Sequence, residues 1–411
     1  MSEANGPRPP FLKRLRLKDY KSIAKCDIAL SPFTALVGPN GAGKSNLIDS
    51  LRFVTDSLRN SLEFALRERG GIGEVRRRSK GHPRYFVFSL EMNLPSGNRG
   101  FLAFQVGVPR PGAFNVMREF CQITEREAPF SKHFYDVRGG KLQAASRDLT
   151  SAIEPDRLYL QAVSGVPEFR PIYDALTHMG FYNLNPERIR DLQEPDPAEV
   201  LSRDGRNLAS ILKRLEGQAP EAKKRIEEYL EVVVPGVRGV GLKALGPKET
   251  VEFRQVVPGD DYPWHFLAAN MSDGTLRALG VLVALFQGAF ERGGRVPLVG
   301  VEEPEVALHP AATNALAGAI LEATMRTQVL VTSHSPDLLD NPRVTSDNIL
   351  AVVSENGETV IGQIDEAARE SLKKQLYTPG ELLRIQQIEP DRRLFLQSVR
   401  QRTLFPREIP V

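Results

Sequence analysis

The 411-residue chain reads as an α/β fold organised around an anion-gripping loop, and three observations predict it. An apolar run enters "GPNGAGKSN", Gly38 to Asn46, and a helical apolar pattern leaves it. A second apolar run ends in two adjacent glutamates, Glu302 and Glu303. A third ends in a histidine among hydroxyl residues, His334. Buried strands that end in reactive side chains are the pattern of a parallel sheet, where ligands sit at the carboxyl ends of the strands.

Each element follows from its residues. "IALSPFTALV", Ile28 to Val37, reads as one buried strand. Past the loop, Leu47, Ile48, Leu51, Val54, Leu58 and Leu62 recur at helical spacing. The order Gly38-x-x-x-x-Gly43-Lys44-Ser45 is that of a P-loop. Without Cβ atoms the backbone N–H groups close around phosphate oxygens, and the helix N-terminus adds its positive dipole end. The expected cradle is Gly38, Pro39, Asn40, Gly41, Ala42, Gly43, Lys44, Ser45 and Asn46. Lys44 is expected on the β- and γ-phosphates of a nucleoside triphosphate, and the Ser45 hydroxyl on Mg²⁺. A glycine-rich turn before an ordinary helix is the bland alternative, and the flanking strand and helix argue against it.

"RVPLVGVEEPEVALHP", Arg295 to Pro310, places Val296, Leu298, Val299 and Val301 in a strand ahead of the glutamates. One carboxylate there can hold Mg²⁺, directly or through water, and the next can act as general base. "QVLVTSHSPDLLD" ends its strand at His334, within reach of a γ-phosphate or an attacking water. "NMSDGTLRALGVLVALF" is a long apolar helix opened by Ser272-Asp273-Gly274, a second anion-binding helix end or merely a capped helix.

Taken in order, these motifs resemble the ATP-binding-cassette (ABC-type) ATPases of the SMC/RecF-like branch. The resemblance is to compact AAA-family ATPases related to RecF and to the OLD-family ATPase module. "MSDGTLRALG" resembles their signature motif, "EEPEVALHP" their Walker B and D-loop, "TSHSPDLL" their switch-histidine segment, and "LKRLRLKDYKSIAKCDIAL" their first strands. It implies a P-loop NTPase fold: an ABC-type ATPase head with a mixed sheet, an inserted helical lobe and no coiled coil. It also implies ATP with Mg²⁺, and a homodimer induced by ATP. Lys44 and Ser45 would take the Walker A roles, Glu302 the Mg²⁺ side of Walker B and Glu303 the general base. His334 would sense the γ-phosphate, and Ser272 and Gly274 would touch the γ-phosphate held by a second subunit. Glu302 departs from the commoner aspartate, so contact with the metal through water is as open as direct contact. Gln105, Gln161, Gln193 and Asn185 all stand as Q-loop candidates. Tyr20 stands either near the nucleotide or packed at a strand end.

The expected organisation is a tail (1–10), an N-terminal ATPase lobe (11–110), inserted strands and a helical lobe (111–265), and a C-terminal ATPase part (266–411). "PERIRDLQ" and "RNLASILKRLEGQAPEAKKRIEEYLEVVV" read as helices, and "NILAVVSENGETVIGQI" as a hairpin turning at Asn356-Gly357. The insertion has no sustained heptads, and no nuclease domain is expected in this chain. Cys26 and Cys121 have neither metal spacing nor a disulfide framework, which suits a cytoplasmic protein. No apolar run is long enough to span a bilayer, so no membrane partner is expected. Net charge is only +3, so a polyanion partner has to be sought in local clusters. "RERGGIGEVRRRSKGHPR" is such a cluster: Arg76, Arg77, Arg78, Lys80 and Arg84 either line a DNA backbone or form a solvated basic loop. Two roles are therefore carried forward. One is a nucleic-acid-associated ATPase in DNA repair or phage defence. The alternative is a regulatory ATPase scaffold that controls a separate effector protein.

Overall fold

The computed structural model describes residues 10–79, 83–109, 113–128, 131–197, 200–260, 262–289, 296–399 and 404–406. Its centre is a six-stranded sheet in the order Glu358–Gln363, Ile349–Glu355, Phe33–Val37, Gln328–Ser333, Leu298–Glu302, Gly180–Tyr182. All of these neighbours pair parallel except the first two, which form the antiparallel hairpin expected around Asn356-Gly357. Asn356 and Gly357 both have positive φ, 51° and 78°, as a tight hairpin turn requires. The parallel register sets Glu302 beside Thr332 and Ser333 beside Val37, so the motif-bearing strand ends form one edge.

Side chains alternate across this sheet, as strand geometry dictates. Leu36, Leu298, Leu330 and Leu350 face one core; Ala35, Val37, Val299, Val301, Val329 and Val331 face the other. The first core is closed by a seven-stranded antiparallel sheet. Its order is Ile23–Ala29, Leu12–Tyr20, Tyr85–Asn93, Arg99–Gly107, Asn115–Thr124, Lys132–Arg138, Lys141–Ala145. The P-loop helix Lys44–Arg59 lies between the two sheets. Its Phe53 ring packs on Tyr20, Phe86 and Phe88, and its Ile48 lies beside Gly300. The second core is closed by the helices Leu208–Gln218, Pro220–Val233 and Asp273–Phe286, with a small sheet of Val237–Leu245, Lys248–Gln255 and Trp264–Leu267.

Three local expectations change. Ile28–Val37 is not one strand: the chain leaves the antiparallel sheet at Ala29 and enters the parallel one at Phe33. Pro32, without an N–H to donate, sits at the switch between sheets. The apolar series through Leu62 is likewise broken, because Ser61 caps a new helix, Leu62–Arg67, by accepting from Phe64 N. The helical stretch 206–234 splits at Ala219, and Pro220 starts the second helix. A sheet also crosses the boundary expected near residue 110, since Asn115–Thr124 pairs with Arg99–Gly107. Among the described residues the longest helix is the 16-residue P-loop helix, far short of a coiled-coil arm. No helix among them is long and apolar enough to cross a membrane. Cys26 and Cys121 are both free and buried.

Candidate functional site

The loop Gly38–Gly43 is pinned from behind by the hairpin. A Cβ on Gly38 would lie 1.9 Å from the carbonyl oxygen of Val352, and one on Gly43 2.0 Å from Thr359 Oγ1. Both positions therefore admit only glycine without moving the hairpin. Thr359 Oγ1 hydrogen-bonds the Ala42 carbonyl at 2.9 Å and meets Ser22 Oγ at 2.7 Å. The Asn46 amide donates to Ser22 Oγ at 2.6 Å, so this member of the expected cradle turns its side chain to the scaffold. Pro39, Asn40, Gly41 and Ser45 remain exposed at the mouth, while Ala42 is buried.

Lys44 is buried and folds over its own loop, donating to Gly38 O at 2.7 Å and Pro39 O at 3.0 Å. Burial pushes its pKa below the ordinary lysine value, and the nearby carboxylates of Glu303 and Glu305 pull the other way. These bonds close the cradle across the space a phosphate would fill; an anion there offers the ammonium a stronger acceptor than a carbonyl.

Glu302 and Glu303 diverge at the end of their strand. Glu302 Oε1 lies 3.4 Å from Arg203 Nη2, and its backbone carbonyl accepts from Arg277 Nη2 at 3.5 Å. Glu303 has φ 45°, a left-handed conformation rare outside glycine and typical of functional sites. Its N–H donates to Thr332 O at 3.0 Å and Oγ1 at 3.1 Å, which anchors the turn. Its carboxylate thereby comes 3.6 Å from His334 Nδ1.

Glu305 is a site residue that sequence reasoning missed. It is only 6% exposed; Oε1 accepts from Ser333 Oγ at 2.7 Å and His334 N at 3.3 Å, while Oε2 is buried without a hydrogen-bond partner. A third acid in "EEPE", facing a strand of hydroxyl residues, was its only signal. Asn183 was missed as well, because a three-residue strand has no readable periodicity. Val301 pairs with Tyr182, so the exposed Asn183 emerges from the sheet beside Glu302. The Q-loop candidates stand elsewhere or are occupied. Gln193 is buried on Ala209 N and Ile189 O, Gln161 donates to Asn60 O, Gln105 lies by Met117 in the antiparallel sheet, and Asn185 caps Glu187 N.

Ser272 caps its helix by accepting from Thr275 N at 3.2 Å, and a Cβ on Gly274 would lie 2.3 Å from the Ala307 carbonyl. Arg190 pairs with Asp273 and donates to Met271 O at 3.2 Å, tying the Ser272 helix end to the chain just past Asn183. Tyr20 is fully buried with its hydroxyl on Asp49 Oδ2 at 2.8 Å, so of its two readings the packed one describes it. In the basic loop Arg76 donates to Pro83 O, Arg77 pairs with Glu358 and Arg78 with Glu74; Arg84 is exposed, and Lys80 lies outside the described residues.

The donor set suits Mg²⁺ with a triphosphate. Among the described residues no three His, Cys, Asp or Glu side chains converge on a metal site of their own. Mg²⁺ commonly takes one or two protein oxygens and fills its shell with phosphate and water, which Ser45 and Glu302 can accommodate. A P-loop, a serine-capped helix, a double-glutamate strand end and a histidine strand end, in this chain order around a mixed sheet, define the ABC-type ATPase class. The chain belongs to the family described as "AAA domain, putative AbiEii toxin, Type IV TA system", whose model matches residues 33–340. It is 24% identical over 361 residues to the OLD nuclease of Thermus scotoductus, covering 80% of this chain and 60% of that protein. It is 37% identical over 94 residues to the DNA replication and repair protein RecF of Pseudarthrobacter chlorophenolicus, 22% of this chain and 23% of that one. Among solved structures, a Smc head domain bound to the C-terminal domain of ScpA from Pyrococcus furiosus aligns with TM-score 0.52 at 14% identity. That alignment covers 90% of this chain and all of the other, and it speaks for the fold alone. The chain thus spans about three fifths, or less, of the length of these curated relatives.

Proposed function

We propose that the chain hydrolyses ATP with Mg²⁺ in sites shared between two copies of itself. The observation that carries this is Glu303, held at φ 45° so that its carboxylate faces both His334 and the Lys44 loop. In this reading Lys44 leaves the Gly38 and Pro39 carbonyls for the β- and γ-phosphates. Glu303 takes the proton of the attacking water, and His334 donates to the γ-phosphate. Ser45 and Glu302 hold Mg²⁺, which spreads the charge that develops on the phosphate oxygens. Asn183 stands where a Q-loop side chain would monitor that site. Ser272 and Gly274 open a helix that caps the γ-phosphate of a second copy. Lys44→Ala should cut ATP affinity and turnover at least tenfold with an unchanged circular dichroism spectrum, since its ammonium bonds only its own loop and, in this reading, phosphate. Normal binding and turnover in that variant would move the site elsewhere.

For the biological task, the relatives' names support a nucleic-acid-associated ATPase in repair or defence. A regulatory scaffold for a separate effector is the second reading; it is favoured by the internal pairing of Arg76, Arg77 and Arg78, which leaves less free charge for a DNA backbone. Measuring turnover with duplex DNA, single-stranded DNA or RNA separates the two. Replacing Arg76, Arg77 and Arg78 by glutamine should lower the slope of log affinity against log salt for duplex binding by about 0.9 per lost phosphate contact. An unchanged slope favours the scaffold.

A further inference from the structure

A cavity of about 750 Å³ runs along the open edge of the strand Gly180–Tyr182, outside the P-loop. The second half of the P-loop helix contributes Arg52 and Arg59, and the loop Val200–Arg206 contributes Arg203 and Arg206. These four arginines line the cavity against two carboxylates. The lining carboxylates are Asp56 and Glu68, and Asp56 is already bonded to Arg69 Nη2 at 3.0 Å. Arg52 Nε is buried without a hydrogen bond; its nearest carboxylates stand at 3.4 and 3.5 Å. Arg59 donates to a backbone carbonyl, that of Thr177, and Arg206 has its carboxylate neighbour Asp204 4.0 Å away. Burial and the neighbouring cations Arg69 and Arg203 push the Arg52 pKa down, against the opposing pull of Asp49 and Asp56. Phe64 and Tyr173 add half-buried ring surface to the same cavity.

We propose that this cavity is a second ligand site, which takes a phosphorylated nucleoside. The volume suits a ligand of that size. Guanidinium groups are the preferred partners of phosphate oxygens, and a base has ring faces to rest on. The phosphate can belong to a free nucleotide or to the 5′ end of a strand. The site also reaches the catalytic edge, because Arg203 is the residue that holds Glu302 at 3.4 Å. Its loop is bonded to the segment beyond the edge strand, with Asn183 N on Arg203 O at 3.0 Å and Asn185 N on Asp204 O at 3.1 Å. A phosphate that engages Arg203 withdraws it from Glu302 and leaves that carboxylate for Mg²⁺. The ligand then raises ATP turnover, and by linkage the loaded ATP site raises affinity for the ligand. This coupling rests on the ATPase reading above; the binding does not.

The test is calorimetric titration of the full chain with AMP, with inorganic phosphate and with a 5′-phosphorylated hexadeoxynucleotide. AMP lacks the β- and γ-phosphates expected on Lys44, so Lys44→Ala should leave its affinity unchanged, and Arg59→Gln with Arg206→Gln should weaken it roughly tenfold or more. Tight binding of the oligonucleotide but not AMP assigns the site to a strand end and supports the proposal; binding of AMP assigns it to the free nucleotide. Binding of inorganic phosphate but neither nucleotide probe overturns it, as does AMP binding that disappears with Lys44→Ala and survives the arginine pair. Silence from all three probes also overturns it. In the turnover arm, AMP or the 5′-phosphorylated hexadeoxynucleotide, whichever binds, should at saturation raise ATP hydrolysis at least twofold in the parent chain and leave Arg203→Gln unmoved. If the chain proves inert toward ATP, the titrations still decide the site.

Discussion

Glu305 and Ser333 meet through a 2.7 Å hydrogen bond between carboxylate and hydroxyl, and the same carboxylate oxygen accepts the N–H of His334. One buried side chain thus links the loop after the double glutamate to the turn that presents the histidine. Its second oxygen, buried and without a hydrogen bond, leaves room for one more donor when the site fills.

Glu305→Ala should therefore loosen the histidine turn while leaving the Gly38–Gly43 backbone and its hairpin contacts in place. The expected result is a fall in kcat of roughly ten- to a hundredfold with KM nearly unchanged, the pattern of an interaction that matters in the transition state. Glu305→Gln keeps an acceptor for Ser333 and should recover part of that loss. A purely structural residue would instead lower the melting temperature and leave kcat per folded molecule intact.

Glu303→Gln removes the base but leaves the γ-phosphate and its contacts in place. Turnover should drop about a hundredfold or more. ATP with Mg²⁺ should then accumulate a dimer in analytical ultracentrifugation, and adding Ser272→Arg should return it to the state seen with ADP. The same mass with ATP, with ADP and without nucleotide, together with normal turnover in Ser272→Arg, would sink the shared-site idea.

Asp49 is the hub that ties the P-loop helix to the first strands. It binds the side chains of Arg69, Lys21 and Tyr20, and Arg69 is itself only 2% exposed at its side chain. Burial would raise the Asp49 pKa, yet Arg69 and Lys21 outweigh it and hold it at about 2. Asp49→Asn should cost about 3–5 kcal/mol in chemical denaturation, the typical loss when one side of a buried ion pair is removed. The depressed pKa means this stabilisation is present above the unfolded value near ~3.9 and fades as pH falls toward about 2.

Glu119 works in the opposite direction. It is fully buried and accepts from Tyr135 Oη and from the N–H groups of Tyr159 and Leu160. Burial outweighs those three donors and raises its pKa to about 7. A raised carboxyl favours the folded state at low pH, and that contribution is lost as pH climbs through about 7. Melting temperature followed from pH 5 to pH 8 should show this decline, and Glu119→Gln should flatten it. An identical slope in both proteins would show that Glu119 titrates like an exposed acid.

The candidate phosphate-binding residues were legible because their chemistry is local. Gly38 to Ser45 need only a strand before them and a helix after, and Ser272 needs only the helix it caps. The carboxyl-end positions of Glu302, Glu303 and His334 were equally plain, since each closes an apolar run. What contiguous residues cannot reveal is which distant segments close on one another. The switch of sheets at Pro32 is hidden because Ile28–Val37 is apolar on both sides of it, and both sheets bury what they receive. Thr359 becomes the backstop of the P-loop, and Arg203 the partner of Glu302, only because the fold brings together residues 317 and 99 positions apart. The arginines after Gly71 look alike as a charge run, yet tertiary contacts turn Arg77 toward Glu358 and leave Arg84 exposed. Composition and spacing determined the chemistry of the candidate phosphate site. Which long-range neighbours orient, restrain and surround it was decided by packing two sheets on one helix, where complementary surfaces rather than sequence order select the contacts.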